Sequence, residues 1–225
     1  MDKTQKQALI AHLEQFATPH KIEKMEKVLN DRTRHVTVVL EEVMRTHNMS
    51  AALRSAECFG VQDVHIVELR ERFFPHVKVS KGACYWVTID HYDTPEVNNT
   101  AVCFEKLRAQ GYKIVATSPH AKSCSIDQLP LDSKIALVFG TEDTGISDYV
   151  KENADASVYI PMCGFTESFN ISVSVALCLY EVTKRLRASD IDWHLTQEEK
   201  EDIKLEWLRS FIKGADIIER EFLKN

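Results

Sequence analysis

The sequence predicts an α/β protein organised on a parallel sheet. Short runs rich in apolar and β-branched residues recur along the chain, and helix-length segments separate them, which is the pattern of βαβ units. The 225 residues, 44% hydrophobic and 28% charged, suit one large domain with appendages, whose core needs neither a disulfide nor a metal.

The first 34 residues read as two short helices. Leu9, Leu13 and Phe16 fall near one face, Ile22, Met25 and Leu29 repeat at helical spacing, and Thr18-Pro19 breaks between them. Residues 35–40 form a first strand. Residues 48–59 read as a helix stopped by Gly60. Strands are expected at 64–69 and 85–89, and Pro95 and Gly111 mark the start and end of the next helix. Further strands fall at 113–117, 134–139 and 157–160, followed by a long helix at 170–187. From Thr196, whose capping box with Glu199 opens it, one amphipathic helix is expected to carry Ile203, Trp207, Phe211, Ala215, Ile218 and Phe222 inward. The chain divides into a helical N-terminal extension (1–34), a sheet domain (35–187) and a helical C-terminal extension (188–225).

Charge and cysteine usage narrow the class. Lys and Arg total 28 against 34 Asp and Glu, a net charge of −6, which argues against a uniformly basic nucleic-acid coat but leaves room for a local patch. Residues 1–16 are polar and carry no secretory h-region, and no apolar run approaches the ~18 residues of a membrane helix. The six cysteines (Cys58, Cys84, Cys103, Cys124, Cys163 and Cys178) form no Cys-x-x-Cys pair, and neither they nor the nine histidines show metal-ligand spacing. They read as reduced thiols in a bacterial-style, cytoplasmic protein with no metal and no membrane span.

Three segments could carry chemistry. In Asn48-Met-Ser-Ala-Ala-Leu-Arg54, Asn48 is readable as a helix N-cap and Arg54 as a surface cation. If Asn48 instead precedes the regular helix, both could point into the crevice beyond the strand ends, where open α/β sheets bind ligands. The run from Ala136 to Ser147 takes a buried strand into a turn bracketed by Gly140 and Gly145. It is no phosphate loop, because Ile146 replaces the required Lys and Glu142-Asp143 would repel phosphate. A cationic ligand suits it better, and a plain strand-to-helix turn is the other reading. In the third segment, from Ile160 to Ala176, an irregular loop follows a core strand, and Ser168 and Asn170 stand at the mouth of a helix, where either could be its N-cap.

Together and in this order, these segments resemble the three signature motifs of the SpoU branch of the SPOUT methyltransferases, most specifically through Ile-Pro-Met-x-Gly…Ser-x-Asn-x-Ser-Val. The resemblance spans roughly residues 20 to 187. It implies a Rossmann-like SPOUT fold with a C-terminal trefoil knot, S-adenosylmethionine as cofactor, and a homodimer with each site against the partner subunit. Asn48, Arg54, Glu142, Ser168 and Asn170 fall on the catalytic positions. Thr117, Gly140, Ile160 and Phe169, the last replacing the usual Leu, fall on positions that cradle the cofactor.

The implied reaction is methyl transfer to a ribose 2′-hydroxyl, with Glu142 and Asn48 orienting Arg54. With only about 34 residues ahead of the first strand, too few for a separate substrate domain of ~50 residues, tRNA is the expected substrate, and by resemblance guanosine 18 of the D-loop. Lys21, Lys24, Lys27, Arg32 and Arg34 would form the basic patch that contacts it. The competing readings are an rRNA 2′-O-methyltransferase, a catalytically silent RNA-binding module on the same fold, and a Rossmann dehydrogenase. The intact motif residues disfavour the silent module, and the lack of Gly-x-Gly-x-x-Gly disfavours the dehydrogenase.

Overall fold

The strongly apolar run Lys134–Phe139 is the central strand of a seven-stranded sheet in the computed structural model of the chain, which describes residues 1–43, 45–68, 77–119 and 124–224. In chain order the elements are α1 (Lys3–Glu14), α2 (Pro19–Asn30), β1 (Val36–Glu41), α3 (Thr46–Cys58), β2 (Asp63–Val67), α4 (Val77–Ser80), β3 (Thr88–Tyr92), α5 (Asn99–Ala109), β4 (Tyr112–Thr117), β5 (Cys124–Ser125), β6 (Lys134–Phe139), α6 (Asp148–Asn153), β7 (Ala156–Tyr159), α7 (Ile171–Arg187), α8 (Gln197–Phe211) and α9 (Ala215–Phe222). They group into two units, Thr33–Trp193 and the segments Met1–Arg32 with His194–Asn225.

In the sheet unit the strand order is β3-β2-β1-β6-β4-β7-β5, and every pairing is parallel. Strands buried on both faces favour apolar runs. β6 supplies one from Ile135 to Phe139. β1 buries Val36, Val38, Val39 and Leu40 with Thr37, whose hydroxyl donates to Asp63 C=O at 2.6 Å. One core lies between the sheet and α3 with α7, where Leu40, Leu53, Leu137 and Val175 are buried; the other holds Val39, Phe104, Leu107 and Val138. The chain leaves β1 outward through β2 and β3 and returns on the other side through β4 and β6. The carboxyl ends of β1 and β6, paired at Leu40 and Phe139, therefore flank a switch point where such sheets open a crevice.

The helical unit is held by the expected residues. Leu9, Leu13, Met25 and Leu29 are buried, Thr18 caps α2 and Pro19 stands in its first turn. Thr196 and Glu199 form the capping box of α8. The tail is two helices rather than one. Ile212 is extended and Gly214 takes φ +77, so the pattern breaks and Phe211 is left exposed. Phe16 is exposed as well.

Other boundaries differ in the sheet unit. A 3₁₀ turn occupies Ala83–Tyr85, after Gly82 at φ +82, and moves the third strand on to Thr88–Tyr92, where Thr88 N–H bonds Gln62 C=O. Helix α5 starts after Asn98, whose side chain caps it, and not at Pro95. The second strand ends at Val67, and the expected residue 69 lies outside the described residues.

Candidate active site

Asn48, Glu142 and Asn170 come from three distant segments and meet in one hydrogen-bonded cluster. Asn48 Nδ2 donates to Glu142 Oε1 at 2.5 Å, Asn170 Nδ2 donates to the same oxygen at 2.7 Å, and the two amides approach at 3.4 Å. Each position has a local cause. Asn48 is the third residue of α3, which begins at Thr46 without any side-chain cap, so the N-cap reading of Asn48 does not hold. Its side chain is buried and turns to the site. Asn170 is the N-cap of α7. Its Oδ1 accepts from the backbone N–H of Ser172 at 3.0 Å and from the Ser172 hydroxyl at 2.6 Å, which leaves its amide nitrogen for Glu142.

Glu142 rides on a closed turn. Thr141 and Gly145 exchange backbone hydrogen bonds of 2.9 and 3.1 Å, and Gly145 closes the ring at φ +71. A Cβ on Gly140 would stand 2.2 Å from the backbone C and O of Gly145, so only glycine fits there.

Beside the cluster, a cleft of about 380 Å³ opens at the carboxyl ends of β4, β6 and β7. Thr117, Gly140, Ile160 and Phe169 all line it, as do Glu142 and Ser168. The Thr117 hydroxyl is committed to Val138 C=O at 2.8 Å, so Thr117 offers the cleft its backbone. Ser168 is exposed, and its hydroxyl has no partner among the described residues. Phe139, Ile160 and Phe169 give the cleft apolar walls, and Glu142, Asp143 and Glu167 outnumber Lys151 around it, so its rim is net acidic. Flat apolar surface next to carboxylates fits a ligand that joins an aromatic base to a positive centre, and the volume lies within the range of small-molecule pockets. Cys178 also lines the cleft, but burial pushes its thiol up to about 12, which keeps it from acting as a nucleophile.

Arg54 stands apart. Six residues along a helix turn it about 120° from Asn48, and it is exposed, with no hydrogen bond or ion pair among the described residues. The cation beside Glu142 is Arg45, whose Nε lies 3.3 Å from Oε2. Glu142 and Asn48 therefore do not orient Arg54 within one chain, because Glu142 is occupied by the two amides and Arg45. Arg45 escaped the sequence reading although it stands three residues before Asn48, because a cation ahead of a helix has no signature.

The five expected RNA contacts also separate. Lys24 and Lys27 are exposed on α2. Lys21 is half-buried over the ring of Phe211 at 4.7 Å, and burial lowers its pKa. Arg32 is 1% exposed and stacks over Trp207 at 5.4 Å, and Arg34 forms a two-pronged pair with Asp63 at 2.9 and 3.3 Å. Arg32 is thus committed to packing and Arg34 to an ion pair. A second, larger cleft of about 460 Å³ lies in the helical unit, lined by Gln7, Glu26, Glu201 and Lys204. It holds no motif residue, and its walls are tied to one another by Gln7–Glu201 and Lys204–Glu26. Among the described residues no group of His, Cys, Asp or Glu is placed to hold a metal ion, and no helix is long and apolar enough to cross a membrane.

Residues 35–180 match the SpoU rRNA Methylase family, and the chain belongs to it. Within it, the chain is 40% identical over 210 residues to the tRNA (guanosine(18)-2′-O)-methyltransferase of Borreliella burgdorferi, covering 93% of this chain and 94% of that protein. It is 31% identical over 189 residues to the protein of the same name from Thermus thermophilus, covering 83% and 94%. The crystal structure of the A. aeolicus TrmH/SpoU tRNA modifying enzyme superposes with a TM-score of 0.75 at 26% identity, over 86% of this chain and 98% of that one.

Proposed function

We propose that this protein transfers a methyl group from S-adenosylmethionine to the ribose 2′-hydroxyl of guanosine 18 in tRNA, acting in the cytoplasm as a homodimer. The observation that carries this reading is the meeting of Asn48, Glu142 and Asn170 beside the acidic-rimmed cleft. The relatives from B. burgdorferi and T. thermophilus, matched over nearly their whole length, support the substrate.

Bound in the cleft, S-adenosylmethionine supplies an electrophilic methyl group on a sulfonium centre. The backbone of Thr117, Gly140 and Ile160 and the ring of Phe169, which line the cleft, would hold the cofactor, and the carboxylates of the rim would favour its positive charge. Transfer is an in-line displacement, so alignment supplies most of the rate. Asn48 and Asn170 lock the Glu142 turn, which forms one wall of the aligned site. The hydroxyl must also lose its proton. A neutral guanidine is costly, since the arginine pKa exceeds ~12. Arg54 therefore binds the phosphate next to the target ribose, and that phosphate helps to accept the hydroxyl proton and passes it on to solvent.

Arg54 faces away from its own Asn48, which suits a site completed by the partner subunit. Val173, Leu177 and Tyr180 form an exposed stripe on α7 at positions i, i+4 and i+7, a face for a second copy to cover. The trefoil threading of the chain belongs to the same reading. An rRNA substrate is the second reading, favoured by the family's own description. Incubation with labelled S-adenosylmethionine and unmodified total RNA, followed by size fractionation, decides between them. Label in tRNA supports the proposal, and label confined to rRNA supports the second reading.

A further inference from the structure

We propose that Glu41 is a positioning residue for this reaction: its buried carboxylate clamps the far end of the Gly140–Ser147 turn and so fixes where the turn holds Glu142 and the cleft wall. The inference rests on the cofactor reading above.

Glu41 is the last residue of β1 and is 2% exposed. Its Oε2 accepts the backbone N–H of Ser147 at 2.9 Å. Its Oε1 accepts the Ser147 hydroxyl at 2.8 Å and the Thr100 hydroxyl at 2.9 Å. Ser147 is also the N-cap of α6, and its hydroxyl oxygen accepts from Val150 N–H at 3.2 Å. That hydroxyl therefore has one orientation, proton toward Glu41 and lone pair toward the helix. No cationic side chain pairs with Glu41 among the described residues. Burying a carboxylate on neutral donors is costly. What it provides is acceptors for all three donors with no donor of its own, which neither glutamine nor a hydroxyl can match.

The turn between is stiff by itself, a ring closed by Thr141 and Gly145 with no space at Gly140. One end continues β6, paired beside β1 at Leu40 and Phe139. The freedom left to such a ring is tilting about that end, and the bonds from Ser147 to Glu41 remove it. The adjacent strand thereby sets the height of Glu142 relative to Asn48 and Asn170.

The test uses the full chain as parent, Glu41→Gln, Ser147→Ala and Thr100→Val. S-adenosylmethionine affinity is measured by calorimetry, and hydrogen exchange of the backbone amide at position 147, which Glu41 accepts, is measured without ligand. A glutamine keeps its oxygen on the Ser147 N–H only by turning its amide donor against the Ser147 and Thr100 hydroxyls, so Glu41→Gln is expected to weaken binding and speed exchange about tenfold. Ser147→Ala moves both in the same direction. Thr100→Val removes the third donor without touching the turn and leaves both within about twofold. Parent-like affinity and exchange in Glu41→Gln overturns the proposal. An equal effect of Thr100→Val does so too, because it marks a merely structural carboxylate. If Glu41→Gln does not fold, Ser147→Ala carries the test, and unchanged exchange in it overturns the clamp. A parent that binds no S-adenosylmethionine, with exchange still faster in Glu41→Gln, refutes the cofactor reading and supports the clamp.

Discussion

Asn170 reaches Glu142 at 2.7 Å with its amide nitrogen while its amide oxygen caps α7 through Ser172 at 3.0 Å. One side chain thus starts a helix and ties that helix to the turn across the cleft. The two roles are separable. Asn170→Asp keeps the cap but sets a second carboxylate against Glu142. Its stability should stay within about 1 kcal/mol of the parent, while methyl transfer falls at least tenfold. Melting curves and turnover measured on the same preparation check both halves.

Arg54 is exposed and uncommitted among the described residues, so Arg54→Ala should change stability by no more than about 0.5 kcal/mol. It should abolish methyl transfer and leave S-adenosylmethionine affinity within a few-fold. Arg54→Lys should fail too, since a compact ammonium cannot reproduce the planar fork on a phosphate. Calorimetry and a turnover assay read the two effects separately, and a large loss of cofactor affinity with turnover retained contradicts this role.

Gly140→Ala places a methyl group 2.2 Å from the backbone of Gly145. The turn cannot yield cheaply because it is closed by its own hydrogen bonds. We expect a loss of about 1–3 kcal/mol together with loss of cofactor binding, read by thermal melting and calorimetry. A variant with parent-like affinity contradicts the closed-turn geometry.

Lys24 and Lys27 are the exposed remnant of the expected basic patch. Neutralising both should flatten the slope of log K against log salt for tRNA by no more than about 2 units. Substituting Arg32 instead should destabilise the helical unit, because its guanidinium is buried over Trp207. Binding titrations at several salt concentrations separate these outcomes, and an unchanged slope in the Lys pair removes α2 from the RNA contact.

The parallel sheet was legible because short apolar and β-branched runs alternate with helix-length segments, which is the pattern of βαβ units. The cluster was legible only as residue types. Asn48 could be read as a cap because helix starts are punctuated by the same side chains that serve in sites, and α3 starts at Thr46 without one. Arg32 and Arg34 look like solvated cations in sequence, since nothing local records that Trp207 and Asp63, distant along the chain, will face them. Gly214 carried the signal for the break in the tail, but the apolar spacing on both sides of it continued one helical pattern and masked it. Glu41 gave no signal at all, because its partners Thr100 and Ser147 are joined to it only by the fold.

Guanosine 18 as the methyl acceptor is tested most directly by mapping the labelled nucleotide. A tRNA transcript and the same transcript with 2′-deoxyguanosine at position 18 are each incubated with the protein and labelled S-adenosylmethionine. We predict label on the ribose of guanosine 18 in the first and none in the second. Equal labelling of the two, or label on a base or another nucleotide, contradicts the assignment.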